Sequence, residues 1–472
     1  MAARVAVGAL VVAFLAGCGG RSASWTEPNG NTSSTRSGSL GLSAARRLRL
    51  VWQFAIPATL GESGAVTATP VVAGGTVYLQ DMKSNVYALD LDDGKVRWTR
   101  RFQAGNPGPN GLAVDGGRVV GATDTTVFAL AAGTGRVLWE HRILSATDTF
   151  VDAAPLVTGG RIYIATTGYS FGTRGKLYAL DEKNGAVDWS FDTIMGPWKH
   201  PQRAGGGGAW YPPSIENGTV YWGTANPIPW GGTPAFPNGA AFPGPALYTD
   251  SLLALDAKTG RLRWFDQVTP HDVRDYDFQL PPILAGQIVI GGGKGGLVVA
   301  WNPKTHQRLW STPVGVHSND RGPLSANRVL VCPGLLGGIE TPMAEADGLV
   351  FVPVVDLCFR GSATGYEALG KVNPLSGRGE LVALNATGGA KLWTRRFPSP
   401  DFGCATAGDG VVFTSTLDGE VYALDTKTGK TVWSARTGAG INACPAIAGG
   451  TLLVPAGVPL PGRRTFELVA YR

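Results

Sequence analysis

Seven copies of one pattern, A-x-D-x-x-T-G-x-x-x-W or a close variant, punctuate the chain and end at Trp98, Trp139, Trp189, Trp264, Trp310, Trp393 and Trp433. VYALDLDDGKVRW is the first and VYALDTKTGKTVW the last. Each copy reads as a hairpin. Alternating apolar residues make one strand, the Asp or Asn and Thr-Gly positions supply the positive φ of a tight turn, and the tryptophan sits on the returning strand. A second hairpin, such as TPVVAGGTVYLQ, precedes most copies, so the unit has four strands. The tryptophans lie 41, 50, 75, 46, 83 and 40 residues apart. Four strands recurring every ~40–50 residues mark a β-propeller.

The two ends complete the count. FELVAYR at the C-terminus supplies the third strand of an eighth unit but lacks its turn and tryptophan strand, and the N-terminal RLVWQFA, with Trp52, is that missing strand. The expectation is an all-β, eight-bladed β-propeller of four-stranded antiparallel blades over residues 46–472, closed by the N- and C-terminal strands so that no sheet edge stays free. The eight tryptophans are then blade-packing residues. Composition agrees: glycine supplies 68 of 472 residues, and charged residues only 16%, against about 7% and 25% in ordinary chains. The formal charge of +6 comes without any run of Lys and Arg, which argues against a nucleic-acid partner.

Residues 1–17 read as a lipoprotein signal peptide. One early charge, Arg4, precedes an apolar stretch from Val5 to Leu15, too short for the about 20 residues a bilayer span needs. Leu15-Ala16-Gly17-Cys18 resembles a bacterial lipobox, which implies a lipid on Cys18. Residues 18–45, rich in Ser, Thr, Gly and Asn, read as a flexible tether. The implied location is extracytoplasmic, anchored to a membrane by the N-terminal lipid, where disulfides are permitted.

The spacings of 75 and 83 contain inserts, and inserts carry function. The first holds GGGGAWYPP with Trp210 and GTANPIPW with Asn226; TPHDVRDYD follows, with Asp275 and Asp277, then GGGKGG with Lys294, then VCPGLLGGIETP through VVDLCF with Cys332, Glu340 and Cys358. The repeats resemble the pyrroloquinoline quinone (PQQ) propeller repeat, and the inserts, in this order, resemble those of quinoprotein alcohol and sugar dehydrogenases. The resemblance implies that PQQ stacks on Trp210, that Asn226, Asp275 and Asp277 ligate Ca²⁺ or a lanthanide, that Asp275 takes the substrate proton, and that Lys294 stabilises charge on the reduced quinone. Glu340 joins the cofactor-binding set, and a Cys332–Cys358 disulfide is implied. Hard cations take oxygen ligands, flat cofactors take indole faces, and a carboxylate beside a cation can act as base.

Three departures accompany these matches. Ser170 stands where the family has an acidic metal ligand, Asn110 where it has an arginine facing the cofactor, and Asp401 or Phe402 where a tryptophan is expected. The family's adjacent-cysteine disulfide is absent. A second disulfide is expected from the residues themselves: FGCATAGDGVVF and NACPAIAGGTLL align with an offset of 40, which puts Cys404 and Cys444 at one position of neighbouring blades. Gly168 to Gly172 fits a serine-hydrolase elbow and Gly291 to Gly296 fits G-x-G-x-x-G, but both lie between strands and lack the required helix. Two functions follow. The first is a PQQ- and metal-dependent dehydrogenase oxidising an alcohol or sugar hydroxyl and passing electrons to a separate cytochrome or quinone. The alternative is a non-catalytic lipoprotein scaffold of the outer-membrane assembly type.

Overall fold

The computed structural model describes residues 24–57, 60, 64–145, 148–169, 172–195, 204–239 and 246–472. Cys18, the signal peptide and Ser170 lie outside the described residues. Eight four-stranded antiparallel sheets account for most of the rest. The first contains Val71–Ala73, Thr76–Gln80, Val86–Asp90 and Val96–Arg100, paired in sequence order. Six more repeat that meander, and the last differs: Ala446–Ala448, Thr451–Ala456 and Glu467–Tyr471 take Leu50–Ala55 as their fourth strand. Trp52 pairs there with Ala470.

The repeat's residues explain how sheets pack. In each copy a bulge follows the alanine opposite the tryptophan, as between Ala88, which faces Trp98, and Leu89. The indole N–H then donates to a carbonyl on the turn of the next sheet, Trp52 to Leu91, Trp98 to Ala132, Trp139 to Glu182 and Trp189 to Ala257. Trp310, Trp393 and Trp433 do the same to Ala386, Thr426 and Leu48. The glycine of the receiving turn meets two requirements at once. Gly94, Gly135, Gly185, Gly260, Gly389 and Gly429 all have φ of 66–75°, and a Cβ on any of them would come within 2.5–2.7 Å of the incoming indole. His306 replaces this glycine in the fifth sheet, and there Trp264 stacks on the imidazole with centroids 5.0 Å apart.

The tether expectation needs correction for residues 24–45. From Trp25 onward the chain runs along the first strands of successive sheets. Trp25 N–H donates to Val72 O, while Thr26 O, Thr32 O, Ser33 O, Thr35 O and Arg36 O accept from the amides of Val114, Ile215, Leu284, Glu345 and Ala407. Glu27 accepts from Val157 N–H at 3.4 Å. The fully buried Arg36 reaches the eighth sheet, donating to Pro445 O and Ala405 O at 2.7 and 2.8 Å, and it also bonds Pro28 O, Asn29 Oδ1 and Thr406 Oγ1. First strands have one unpaired edge, and backbone groups on that edge require partners. The residue types that suggested disorder make the bends: Asn31 Oδ1 accepts from Ser33 and Thr35 N–H, and Ser34 and Arg36 sit at φ of 53° and 49°.

Candidate active site

Because the sheets are antiparallel meanders, the Gly-rich turns fall at one end of the strands and the inserts at the other. The loop from Thr269 to Asp277 is held by Asp272, whose carboxylate accepts from Arg274 N–H and Tyr276 N–H at 2.8 Å each. That arrangement forces Asp275 into the left-handed region, φ 68°, a conformation that surrounding contacts must maintain in a non-glycine residue. Asp275 Oδ1 accepts from Asn226 Nδ2 at 2.7 Å, and Asp277 Oδ1 from Asn226 N–H at 2.7 Å. Lys294 closes the group. Its Nζ lies 3.0 Å from Asp275 Oδ2 and 2.6 Å from Asp277 Oδ2, and 5.8 Å from the centroid of the Trp210 ring.

Glycines allow this convergence. A Cβ at Gly293 would sit 2.1 Å from Asp277 O, and one at Gly338 2.0 Å from Lys294 O. Burial pushes the Asp275 carboxyl up to about 7, the Lys294 ammonium pulling against that and Asp277 adding to it. Burial opposes the Lys294 charge, yet the facing carboxylates of Asp275 and Asp277 hold the ammonium well above its ordinary range. The Glu340 carboxyl rises to about 8, again mainly by burial.

Two cavities meet at Trp210, Lys294 and Leu336. The axial one, about 170 Å³, is lined by Thr67, Asn110, Gln279, Glu340, Phe402 and the Cys404–Cys444 pair, with Pro28 and Asn29 of the N-terminal arm. Asn110 is turned to protein, donating to Asp81 O at 2.9 Å and accepting from the Thr67 hydroxyl. The other cavity, about 400 Å³, contains Asn226 and Asp275 with Tyr169, Trp230, Leu335, Tyr366 and Leu369. Trp210, Lys294, Asn110 and Glu340 thus line the first cavity and Trp210, Lys294, Asn226 and Asp275 the second, with Asp277 joined to them through Lys294 and Asn226. Sequence reading missed the aromatic wall: Trp230 lay within the quoted GTANPIPW, but Tyr169, Tyr366 and Leu369 carry no local signal. It also missed Asp152 and Asp250, buried carboxylates whose oxygens find no hydrogen-bond partner among the described residues. Burial drives both carboxyls well above their usual range.

Both expected disulfides are present, Cys332–Cys358 with Cα atoms 4.6 Å apart and Cys404–Cys444 at 5.1 Å. The second precedes by two residues the first strands of the seventh and eighth sheets, Thr406–Gly408 and Ala446–Ala448.

A family model of PQQ repeats, described as outer membrane protein assembly factor BamB, matches residues 36–197 and 377–463, more than half of the chain. The chain belongs to the PQQ-repeat propeller family. A second model, the β-propeller domain of glucose/ethanol/alcohol dehydrogenases, matches residues 144–295 of this propeller. Among curated relatives, quinoprotein alcohol dehydrogenase PedH of Pseudomonas putida is 26% identical, across 86% of this chain and 80% of that protein. A lanthanide-dependent methanol dehydrogenase of Methylacidiphilum fumariolicum is 27% identical, across 88% and 81%. The fold superposes on quinohemoprotein alcohol dehydrogenase from Comamonas testosteroni with a TM-score of 0.82 at 23% identity, covering 96% of this chain and 80% of that one. The BamB model skips residues 198–376, where Trp210, Asn226, Asp275, Asp277 and Lys294 reside.

Proposed function

We propose that the chain is a PQQ- and metal-dependent dehydrogenase that oxidises an alcohol hydroxyl and passes electrons to a separate acceptor. The observation that carries this reading is the convergence of Asn226, Asp275, Asp277 and Lys294 beside the Trp210 ring. A scaffold has no need of a half-buried and a buried carboxylate paired on a strained loop, and these residues fall in the segment that the BamB model leaves unmatched.

The residues present fit the two groups. Trp210 offers an indole face, Asn226, Asp275 and Asp277 offer oxygen ligands to a hard cation, and Gln279 Oε1, Glu340 Oε1 and Thr341 Oγ1 are buried polar atoms with no hydrogen-bond partner among the described residues. Among the described residues no three His, Cys, Asp or Glu side chains form a metal-holding group; the ligand set of this reading is mixed, with the Asn226 amide beside the two carboxylates. When bound, the quinone supplies a hydride-accepting carbon and the cation a Lewis acid beside it. Asp275 receives the hydroxyl proton of the alcohol, a role suited to a carboxyl raised toward neutral pH. Lys294 keeps positive charge where negative charge develops. Asp272 fixes the loop on which both acidic residues stand.

The eight sheets are, in this reading, eight blades of a closed ring, supported by the relay of tryptophans from each sheet to the next and by the pairing of Leu50–Ala55 with Glu467–Tyr471. Export and anchoring through Cys18 rest on the lipobox-like sequence. Cys18→Ala should release the protein from the membrane fraction, and retention there would refute the anchor.

Purified protein supplied with PQQ and Ca²⁺ or La³⁺ tests the enzyme reading. Dye reduction should follow alcohol addition, and Asp275→Asn should lower kcat by about 10²–10⁴-fold, the usual weight of a general base, with the circular dichroism spectrum unchanged. Failure to bind PQQ with either metal would overturn the proposal.

A further inference from the structure

The chamber that contains Asp275 has two chemically distinct ends. Asn226, Asp275 and Lys294 occupy the inner end, and carbon lines the outer one. Trp230, only 8% exposed, is wedged among Leu324, Val331, Leu335 and Phe359. Tyr366 lies against it with ring centroids 4.2 Å apart. This contact depends on Gly231, where a Cβ would come within 2.4 Å of the Tyr366 ring. Across the chamber, Tyr169 meets Trp210 edge-on at 5.3 Å. Tyr169, Tyr366 and Leu369 remain 44%, 43% and 52% exposed, large apolar surfaces that a folded chain normally covers unless something binds there.

We infer, resting on the dehydrogenase reading, that the substrate is an alcohol bearing an aromatic group, with the hydroxyl at Asp275 and the ring against Trp230, Tyr366 and Leu369. The physical case is one of matching surfaces. A sugar would turn hydroxyls toward carbon walls, and each hydroxyl removed from water without a hydrogen bond costs free energy. A one-carbon alcohol would leave the outer wall uncovered. An aryl group buries its faces there and gains from ring-to-ring contact with Trp230 and Tyr366. With the quinone bound as hydride acceptor beside Trp210, the hydroxyl proton would pass to Asp275 and the product would be an aldehyde.

Cinnamyl alcohol, ethanol and glucose distinguish the alternatives, each offered to the protein loaded with PQQ and La³⁺. We expect kcat/KM for cinnamyl alcohol to exceed that for ethanol, glucose to be turned over least, and Tyr366→Ala to shrink the cinnamyl-to-ethanol ratio by about tenfold or more, the worth of one buried ring face. Leu369→Asn, at a position 52% exposed, should shrink it in the same direction. Fluorescence titration of unloaded protein with cinnamyl alcohol provides a second readout, which both variants should weaken. A preference for glucose, or variants that leave both the ratio and the titration unmoved, would overturn the inference. Should the titration succeed while no alcohol is oxidised with any metal, the aromatic site would stand and the dehydrogenase reading would fall.

Discussion

Asp401 shows how a single buried group sets the pH range of stability. It is fully buried, Thr414 donates its hydroxyl to Oδ1 at 2.6 Å, and Oδ2 finds no partner among the described residues. Burial holds its carboxyl well above the usual range, against the hydrogen bonds from Thr414 and the Gly403 amide. The folded state therefore keeps this proton longer than the unfolded chain does. The stability it contributes is present below the unfolded value near pH 4 and is lost as pH rises through the folded value. Glu27, Asp152 and Asp250 act in the same direction. Thermal melts of Asp401→Asn should lose less stability than wild type between pH 5 and pH 9, with a gain of roughly 1–3 kcal/mol at the alkaline end, the cost of an unsatisfied buried group. Parallel curves for the two proteins would refute this account.

The N-terminal arm is the element that most changes the picture. Its backbone supplies partners to the first strands of successive sheets, and Arg36 adds three side-chain hydrogen bonds to Ala405, Thr406 and Pro445 at the seventh and eighth. Arg36→Met keeps the length of the side chain but strands the carbonyls of Pro28 and Ala405 away from water, while Pro445 O keeps its bond from the Thr406 hydroxyl. At about 1–3 kcal/mol for each stranded group, the substitution should cost at least about 2 kcal/mol in urea unfolding, and a change under about 1 kcal/mol would show that the arm is dispensable. Pro28 and Asn29 also line the axial cavity. The arm therefore links a segment that looks like linker to the surroundings of Trp210.

At the scale of the whole molecule, the seventh and eighth sheets are joined by three independent devices. They are Arg36, the Trp433 bond to Leu48 and the Cys404–Cys444 disulfide. The disulfide closes a loop of 40 residues, worth about 4 kcal/mol by restriction of the unfolded chain. Cys404→Ala/Cys444→Ala should lower stability by that order while leaving the secondary structure intact, because the other two devices persist. Loss of folding altogether would show that the covalent link, and not the packing, holds these sheets together.

Sequence alone determined the repeat, its four-stranded unit, the pairing of the chain's ends, the second disulfide and the order of the insert motifs. These are legible because each rests on local chemistry: alternation, turn glycines with positive φ, and a tryptophan at a fixed offset. Tertiary structure decided the rest. That Asn226, Asp275, Asp277 and Lys294 form one ion group depends on loops from three parts of the chain meeting through glycines too close for a Cβ. That residues 24–45 are bound and not loose depends on strand edges that exist only once the sheets have formed. The aromatic wall of Trp230, Tyr366 and Leu369 is likewise assembled from distant segments. Burial and unpaired backbone are properties of the folded whole, and no window of sequence contains them.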